Sequence, residues 1–418
     1  MRAASPRKVH FNLKHLPWAS ALQEPVFRRL WVSGVASYPV RQLAFTVYSW
    51  LVVKESSSPF IVSLVPFAWT MPALVGGFLG GEFADTFDRR TLLVVLQVLL
   101  AATYGALAVV LAAGASPVWP VIVAAAATGF VWSIDAPARR SFMFDLAGRS
   151  KLSIVLSADS ALSMGMLIVG PLLAAALLPV VAAAWVLAGM AAMSLVSAAG
   201  LLRTPGRVKA ESAAVKAHHI GALIEGLRLA RRDPLVAGTL AVALIGYMFA
   251  WAFWPLIPVY SSEVLHGGAP LLGVIYGVEG VGAFLAIAAM SFLGPRLRLH
   301  ALVLVLMCGL SSAAGLGLAL SSSAPLTLGL IAIAGGMSAV FVLMHDTVLL
   351  LESPEGARGR AVGLIVAIST AYPLGGLIVG ALAEWTSPAA AVVTMSAAGV
   401  ALTLLAVLLF PALRRKTP

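Results

Sequence analysis

Apolar residues in this chain do not alternate with polar ones. They come in long unbroken runs, separated by short breaks rich in charge, Pro, Gly or Ser. A run of about 20 predominantly apolar residues matches the length of a helix that crosses a bilayer, and twelve can be marked. The first six are Leu30–Val53, Pro59–Gly81, Thr91–Ala113, Pro117–Ile134, Leu152–Leu178 and Val180–Leu202. The other six are Leu235–Val259, Leu271–Leu293, Ala301–Leu320, Pro325–Met344, Ala361–Ala383 and Ala389–Leu413. The pattern predicts an all-α membrane protein: an N-tail (1–29), a six-helix bundle (30–202), a polar linker (203–234), a second six-helix bundle (235–413) and a short C-tail (414–418).

Composition agrees. Of 418 residues, 60% are hydrophobic and 11% charged, whereas a soluble domain is about half apolar and a quarter charged. The formal net charge of +11 invites a nucleic-acid reading, but the distribution of cations removes it. Of the 28 Lys and Arg, 26 fall in segments that all lie on one side of the twelve-span arrangement. Lys54 alone lies on the other side, and Arg41 lies inside the first span. This positive-inside asymmetry predicts a multi-pass membrane protein with both termini in the cytoplasm. The single cysteine, Cys308, permits no intramolecular disulfide. The polar, basic first 29 residues lead us to expect no removable signal peptide.

The halves repeat. Asp135 ends the fourth span and Asp346 the tenth, Arg89 follows the second and Arg298 the eighth, and Pro171 and Pro373 interrupt the fifth and eleventh. Two related bundles imply a central cavity between them. Within the linker, Ile220–Arg232 has an apolar stripe and a basic end, which fits either a surface-lying helix or a solvated tether.

After the second span comes Gly81-Glu82-Phe83-Ala84-Asp85-Thr86-Phe87-Asp88-Arg89-Arg90. It resembles the signature loop of the major facilitator superfamily, with Asp88 in place of the usual second glycine. That replacement is similar to the branch of macrolide efflux proteins and the enterobactin exporter. Asp135-Ala136-Pro137-Ala138-Arg139-Arg140 and Gly356-Ala357-Arg358-Gly359-Arg360 fit the same branch. Gly170-Pro171 resembles the antiporter motif of drug exporters, without its trailing glycine pair. The resemblance implies twelve helices, transport by alternating access and a place in the bacterial inner membrane. It also implies that the motif Asp meets the N-terminus of the eleventh span, here Arg360–Gly363. Asp85 and Arg89, spaced i and i+4, can share a helical face. With Asp135 accepting from Arg89, the three form an expected cytoplasmic latch; the alternative is a set of solvated loop charges.

Charges within spans are costly unless paired or hydrated, and so mark function. Arg41 and Glu279 are the candidates for substrate binding or proton coupling, with a structural pair between the bundles as the alternative. Glu279 is the preferred proton carrier. Asp159 is either a third coupling residue or a helix-start charge. Tyr247 in the Pro-interrupted seventh span is the first candidate for lining the cavity. Tyr38, Phe45, Trp69, Phe341, Met337 and Met344 follow, while Trp251 and Trp254 are expected in an aromatic belt. Glycines of the second, eighth and eleventh spans are expected at the contact between bundles.

No Gly-Lys-Ser/Thr loop or His-Glu-x-x-His occurs, so neither ATP hydrolysis nor metal-dependent catalysis is expected. Asn12, Gln23, Gln42 and Gln97 are the only amide side chains, which disfavours a sugar site. The expectation is a monomeric transporter without cofactor. It works in a lipid bilayer on a small-molecule substrate, exporting hydrophobic or amphipathic compounds against the proton gradient. Transport of a lipid or organic anion, with Arg41 as anion partner, is the alternative; a non-transporting receptor or scaffold is a third.

Overall fold

The computed structural model describes residues 24–205, 233–294, 300–352, 364, 365 and 367–414, without the side chains of 74, 75, 77–85, 149 and 150. Twelve membrane helices are present. The first six are α1 (Pro25–Glu55), α2 (Pro59–Thr86), α3 (Arg89–Ala112), α4 (Val118–Gly148), α5 (Lys151–Leu177) and α6 (Ala183–Leu202). After the linker come α7 (Pro234–Val264), α8 (Gly268–Leu293), α9 (His300–Ala319), α10 (Ala324–Glu352), α11 (Ala371–Trp385) and α12 (Pro388–Leu409). Helices are the expected solution, because each satisfies its own backbone polar groups where water is absent. Among the described residues, ten are long and apolar enough to cross a membrane. The polar residues of α1, which include Tyr38, Arg41 and Gln42, and the short described side-chain run of α2 keep those two out of that set.

Several helices extend beyond the expected spans. α4 continues to Gly148 instead of ending at Asp135. Its residues beyond the charge keep an inward apolar stripe, Ala138, Phe142 and Met143, that packs with Leu93 of α3 and Val155 of α5. Gly148 joins α4 to α5 with φ 61° and ψ 178°, a conformation open to glycine and little else. α2 runs to Thr86, so most of the motif after the second span is helical. Asp88 then caps α3 by accepting from Thr91 N at 2.8 Å and Thr91 Oγ1 at 2.7 Å. Its φ of −58° explains why no glycine is needed at that position. α7 is interrupted: an α-helical start gives way to a π segment (Gly246–Ala250), a 3-10 turn (Trp254–Leu256) and a second π segment (Tyr260–Val264). Pro255 and Pro258 lack the N–H groups that a regular helix would use there.

The buried core reveals how the bundles meet. At the end opposite the basic tails, one apolar cluster runs through both bundles, joining Val47 and Leu51 of α1 to Ile257 of α7 and Leu272 and Ile275 of α8. Toward the basic end the core divides. One cluster (Phe27, Leu93, Phe142, Leu201) belongs to the first bundle and another (Val242, Leu304, Phe341, Val348) to the second. Close contact between bundles comes from α5 with α8 and α2 with α11. A Cβ on Gly273 would lie 2.8 Å from Ala175 Cβ, and one on Gly380 would lie 2.7 Å from Ser63 Cβ. Glycine there lets the backbones approach. Gly76, Gly375 and Gly376 instead pack within their own bundles, on Phe130, Met248 and Pro255. Ser58 Oγ donates to Glu384 Oε2 at 2.6 Å, fastening α2 to α11 at the end away from the basic tails.

The outer surface suits lipid: Val98, Val109, Val123, Leu195, Leu404 and Leu408 are exposed. Trp119, Trp185 and Trp385, more than 60% exposed, sit at helix ends on the face opposite the basic tails and form an aromatic belt there. Trp251 is instead buried, and Trp254 stacks on Tyr276 with ring centroids 5.3 Å apart, so neither belongs to the belt. The linker segment Ile220–Arg232, the basic segment 295–299 and the segment Gly356–Arg360 with its continuation to Gly363 lie outside the described residues.

Candidate functional site

A cavity of about 600 Å³ lies against the first bundle. Its wall runs from Trp69 and Gly129 to the exposed Arg140 toward the basic end, with Tyr372 of α11 opposite. Arg41, Tyr38, Asp159, Trp132 and Arg139 also line it. Of the residues expected at a cavity, the structure brings Tyr38, Trp69, Arg41 and Asp159 together. α1 supplies Tyr38 and Arg41 from successive turns, α4 supplies Trp132 and Arg139, and α5 supplies Asp159.

The centre of this wall is an ion pair. Arg139 Nε donates to Asp159 Oδ1 at 3.2 Å, and Arg139 Nη2 donates to the Leu30 carbonyl at 2.8 Å. Tyr38 Oη donates to Asp159 Oδ2 at 2.5 Å, with the Arg139 guanidinium 5.0 Å from the Tyr38 ring centre. Asp159 is therefore more than a helix-start charge near water: it ties α1, α4 and α5 together at the cavity wall. Arg139, which the sequence pattern places in a loop, is a buried side chain inside α4. The signal that identifies it is the apolar stripe continuing past Asp135, which makes the charge an interruption and not an end.

Arg41 sits beside this network in a different state. Its guanidinium lies 3.6 Å above the Trp132 ring centre, a cation–π stack. Its Nε is buried without a hydrogen-bond partner, and so is the indole N–H of Trp132. Asp135 acts electrostatically on Arg41 but takes its hydrogen bond from Gln97 Nε2 at 3.3 Å. Arg41 and Glu279 do not form the structural pair between bundles that was the alternative to a functional role. Arg41 packs against α4, whereas Glu279 faces α10, where a Cβ on Gly335 would lie 2.8 Å from Glu279 Cγ. Among the described residues Glu279 has no hydrogen-bond or ion-pair partner. Tyr276 and Tyr372 are near enough to feel its charge.

The expected latch is corrected in one partner. Arg89 Nη1 donates to both oxygens of Asp145, at 2.6 and 2.7 Å, and not to Asp135. The reason is helical rise: Asp145 lies ten residues beyond Asp135, about 15 Å along α4, level with the start of α3. Asp135 is buried deeper in the helix. The side chain of Asp85 lies outside the described residues.

In the second bundle, Tyr247 and Phe341 pack in a cluster with Trp251 and His345, with centroids 5.0–6.4 Å apart. They are thus core residues and not part of the cavity wall. Met344 is buried in the same core. His345 is buried with Nδ1 3.1 Å from Asp346 Oδ1. Asp346, like Asp135, lies within a helix and not at its end. Phe45 joins Trp69 and Tyr276 where the bundles meet. Met337, half-buried on α10, is not among the residues lining the cavity.

Comparison with known proteins agrees with this architecture. A multidrug efflux pump, Tap, of Mycolicibacterium fortuitum is 25% identical over 356 residues, 82% of this chain and 85% of that protein. The enterobactin exporter EntS of Escherichia coli is 30% identical over 198 residues, 46% of this chain and 45% of that one. The solved structure of a mutant form of the nucleoside transporter NupG superposes with a TM-score of 0.76 at 13% identity, covering 92% of this chain and all of that one. Residues 16–417 match the transmembrane secretion effector family, so the chain belongs to that family and is a multi-pass membrane transporter of the major facilitator type, not an enzyme.

Proposed function

We propose that this transporter exports hydrophobic or amphipathic small molecules from the cytoplasm of a bacterial cell, in exchange for protons, by alternating access. The observation that carries the reading is the asymmetric core, which is continuous across both bundles at one end and divided around a cavity at the basic end. With the basic face in the cytoplasm, this is the state that loads cargo from inside. The efflux activity named for the relatives points the same way. One charge moving through about 150 mV supplies roughly 3.5 kcal/mol, a concentration ratio of a few hundred. Glu279 of α8, which has no hydrogen-bond or ion-pair partner among the described residues, and Asp159, at the cavity wall, are the carboxyls for the proton. An organic-anion carrier is the second reading, favoured by Arg41, whose guanidinium makes no hydrogen bond among the described residues.

Expression in an efflux-deficient bacterial host tests this. Several hydrophobic compounds should need higher concentrations to stop growth, and adding one to energised inverted vesicles should discharge the pH gradient. Protein present in the membrane with neither effect contradicts export by proton exchange.

A further inference from the structure

Among the described residues the cavity wall carries Arg41, Arg139 and Arg140 against Asp159, with the buried Asp135 near Arg41 as the second acid. Asp159 is already committed to Arg139 and Tyr38. Arg139 is satisfied in turn by Asp159 and by the Leu30 carbonyl. Arg41 is left over. Among the described residues its guanidinium makes no hydrogen bond, its buried Nε has no acceptor, and Asp135 is held by Gln97 and not by Arg41. The Trp132 N–H beside it also lacks an acceptor. Buried donors are normally satisfied, and these two, on side chains stacked on one another at the cavity wall, have room for an acceptor from a ligand. A cation would be repelled by the arginine excess, and a neutral apolar cargo would leave both donors unpaired. An oxyanion would satisfy them. Besides the hydroxyls of Thr70, Ser133, Ser160 and Ser163, the rings of Tyr38, Trp69 and Tyr372 line the same cavity, and the Tyr38 and Trp132 rings lie 6.1 Å apart.

We propose that Arg41 and Trp132 bind the acidic group of an aromatic cargo, a carboxylate or comparable oxyanion attached to a planar ring, with the ring held among Tyr38, Trp69 and Tyr372. Arg41 presents its fork to the anion while its face stays on Trp132. Lysine cannot reproduce that combination of planar stacking and paired donation. The assignment names the cargo class of the exporter proposed above and rests on that reading.

The test uses three probes that share a ring and differ in charge: 2-naphthoate, 2-naphthalenemethanol and 2-naphthylmethylamine. Equilibrium dialysis against the purified full chain in detergent should show naphthoate bound about tenfold tighter than either of the others. Arg41→Gln should erase that preference. Arg41→Lys should restore only part of it, and Trp132→Phe should weaken naphthoate while leaving the order of the three unchanged. Naphthoate binding no tighter than the alcohol in the unmutated protein, including no binding of either, overturns the proposal without reference to any variant. So does an Arg41→Gln protein that stays monodisperse and keeps the preference. Naphthoate counterflow in proteoliposomes separates the two readings. Selective binding without counterflow counts against transport and leaves the anion site standing. Counterflow that favours the amine or alcohol counts against the anion site alone.

Discussion

At the scale of single residues, membrane charges sort into those with partners and those without. Asp159, Arg139 and Tyr38 satisfy one another. Arg89 is held by Asp145, both side chains largely buried. Glu279 has no hydrogen-bond or ion-pair partner among the described residues, and it is the carboxyl to which the proposed proton exchange is assigned. Glu279→Gln should abolish proton movement on cargo addition in proteoliposomes while cargo binding persists; coupling that survives removes Glu279 from the path. Breaking the Arg89–Asp145 pair should act on stability. Asp145→Asn should lower it by about 1–3 kcal/mol, seen as an earlier thermal transition in detergent. Arg89→Ala combined with Asp145→Asn should cost less than the sum of the two single changes. Strict additivity would contradict the pairing. Arg41, Glu279 and Asp159 were legible in the sequence, because a charge amid apolar residues stands out. Arg139 and Asp145 were not. Once Asp135 is taken as the end of a span, everything after it reads as loop, and nothing in the residue types corrects that until the apolar stripe through Ala138, Phe142 and Met143 is noticed.

At the scale of elements, the number of helices and their order followed from apolar runs alone, because a bilayer imposes one length on every span. Their ends did not follow. α4 outlasts its hydrophobic run, and its last charged turn finds a partner at Asp145. The replacement of glycine by Asp88 is an example that spacing alone could not interpret; the structure shows an N-cap in ordinary backbone conformation. Proline placed the interruption of α7 but not its form, a π segment on each side of a short 3-10 turn. Gly148 does need to be glycine. At φ 61° and ψ 178° any other side chain is strained, and Gly148→Ala should cost about 1–3 kcal/mol. Thermal melting in detergent checks this, and an unchanged transition would mean that α4 and α5 are joined differently.

At the scale of the whole molecule, pseudo-symmetry supplies two bundles, yet the site is lopsided. The first bundle carries the buried charge network and nearly all of the cavity wall, while Tyr247, Phe341 and His345 of the second form a packed aromatic core. The internal repeats announce the shared scaffold but not this division of labour, which depends on which side chains face inward. Contacts between bundles at the end away from the basic tails include Ser58 with Glu384, Gly380 over Ser63, and Gly273 over Ala175, and Phe45 meets Tyr276. Alternating access requires that this closure open once in every cycle. Ser58 and Glu384 are exposed or partly exposed at that seam, and Cys308 is the only native thiol, so the seam can be locked selectively. In a Cys308→Ser background, Ser58→Cys with Glu384→Cys is joined by a short bifunctional methanethiosulfonate in proteoliposomes, and cargo flux is followed before and after reduction. The account predicts that flux stops when the two residues are linked, stays normal in each single-cysteine control, and returns when the link is reduced. Undiminished flux through fully linked protein would contradict transport by alternate opening of the two ends.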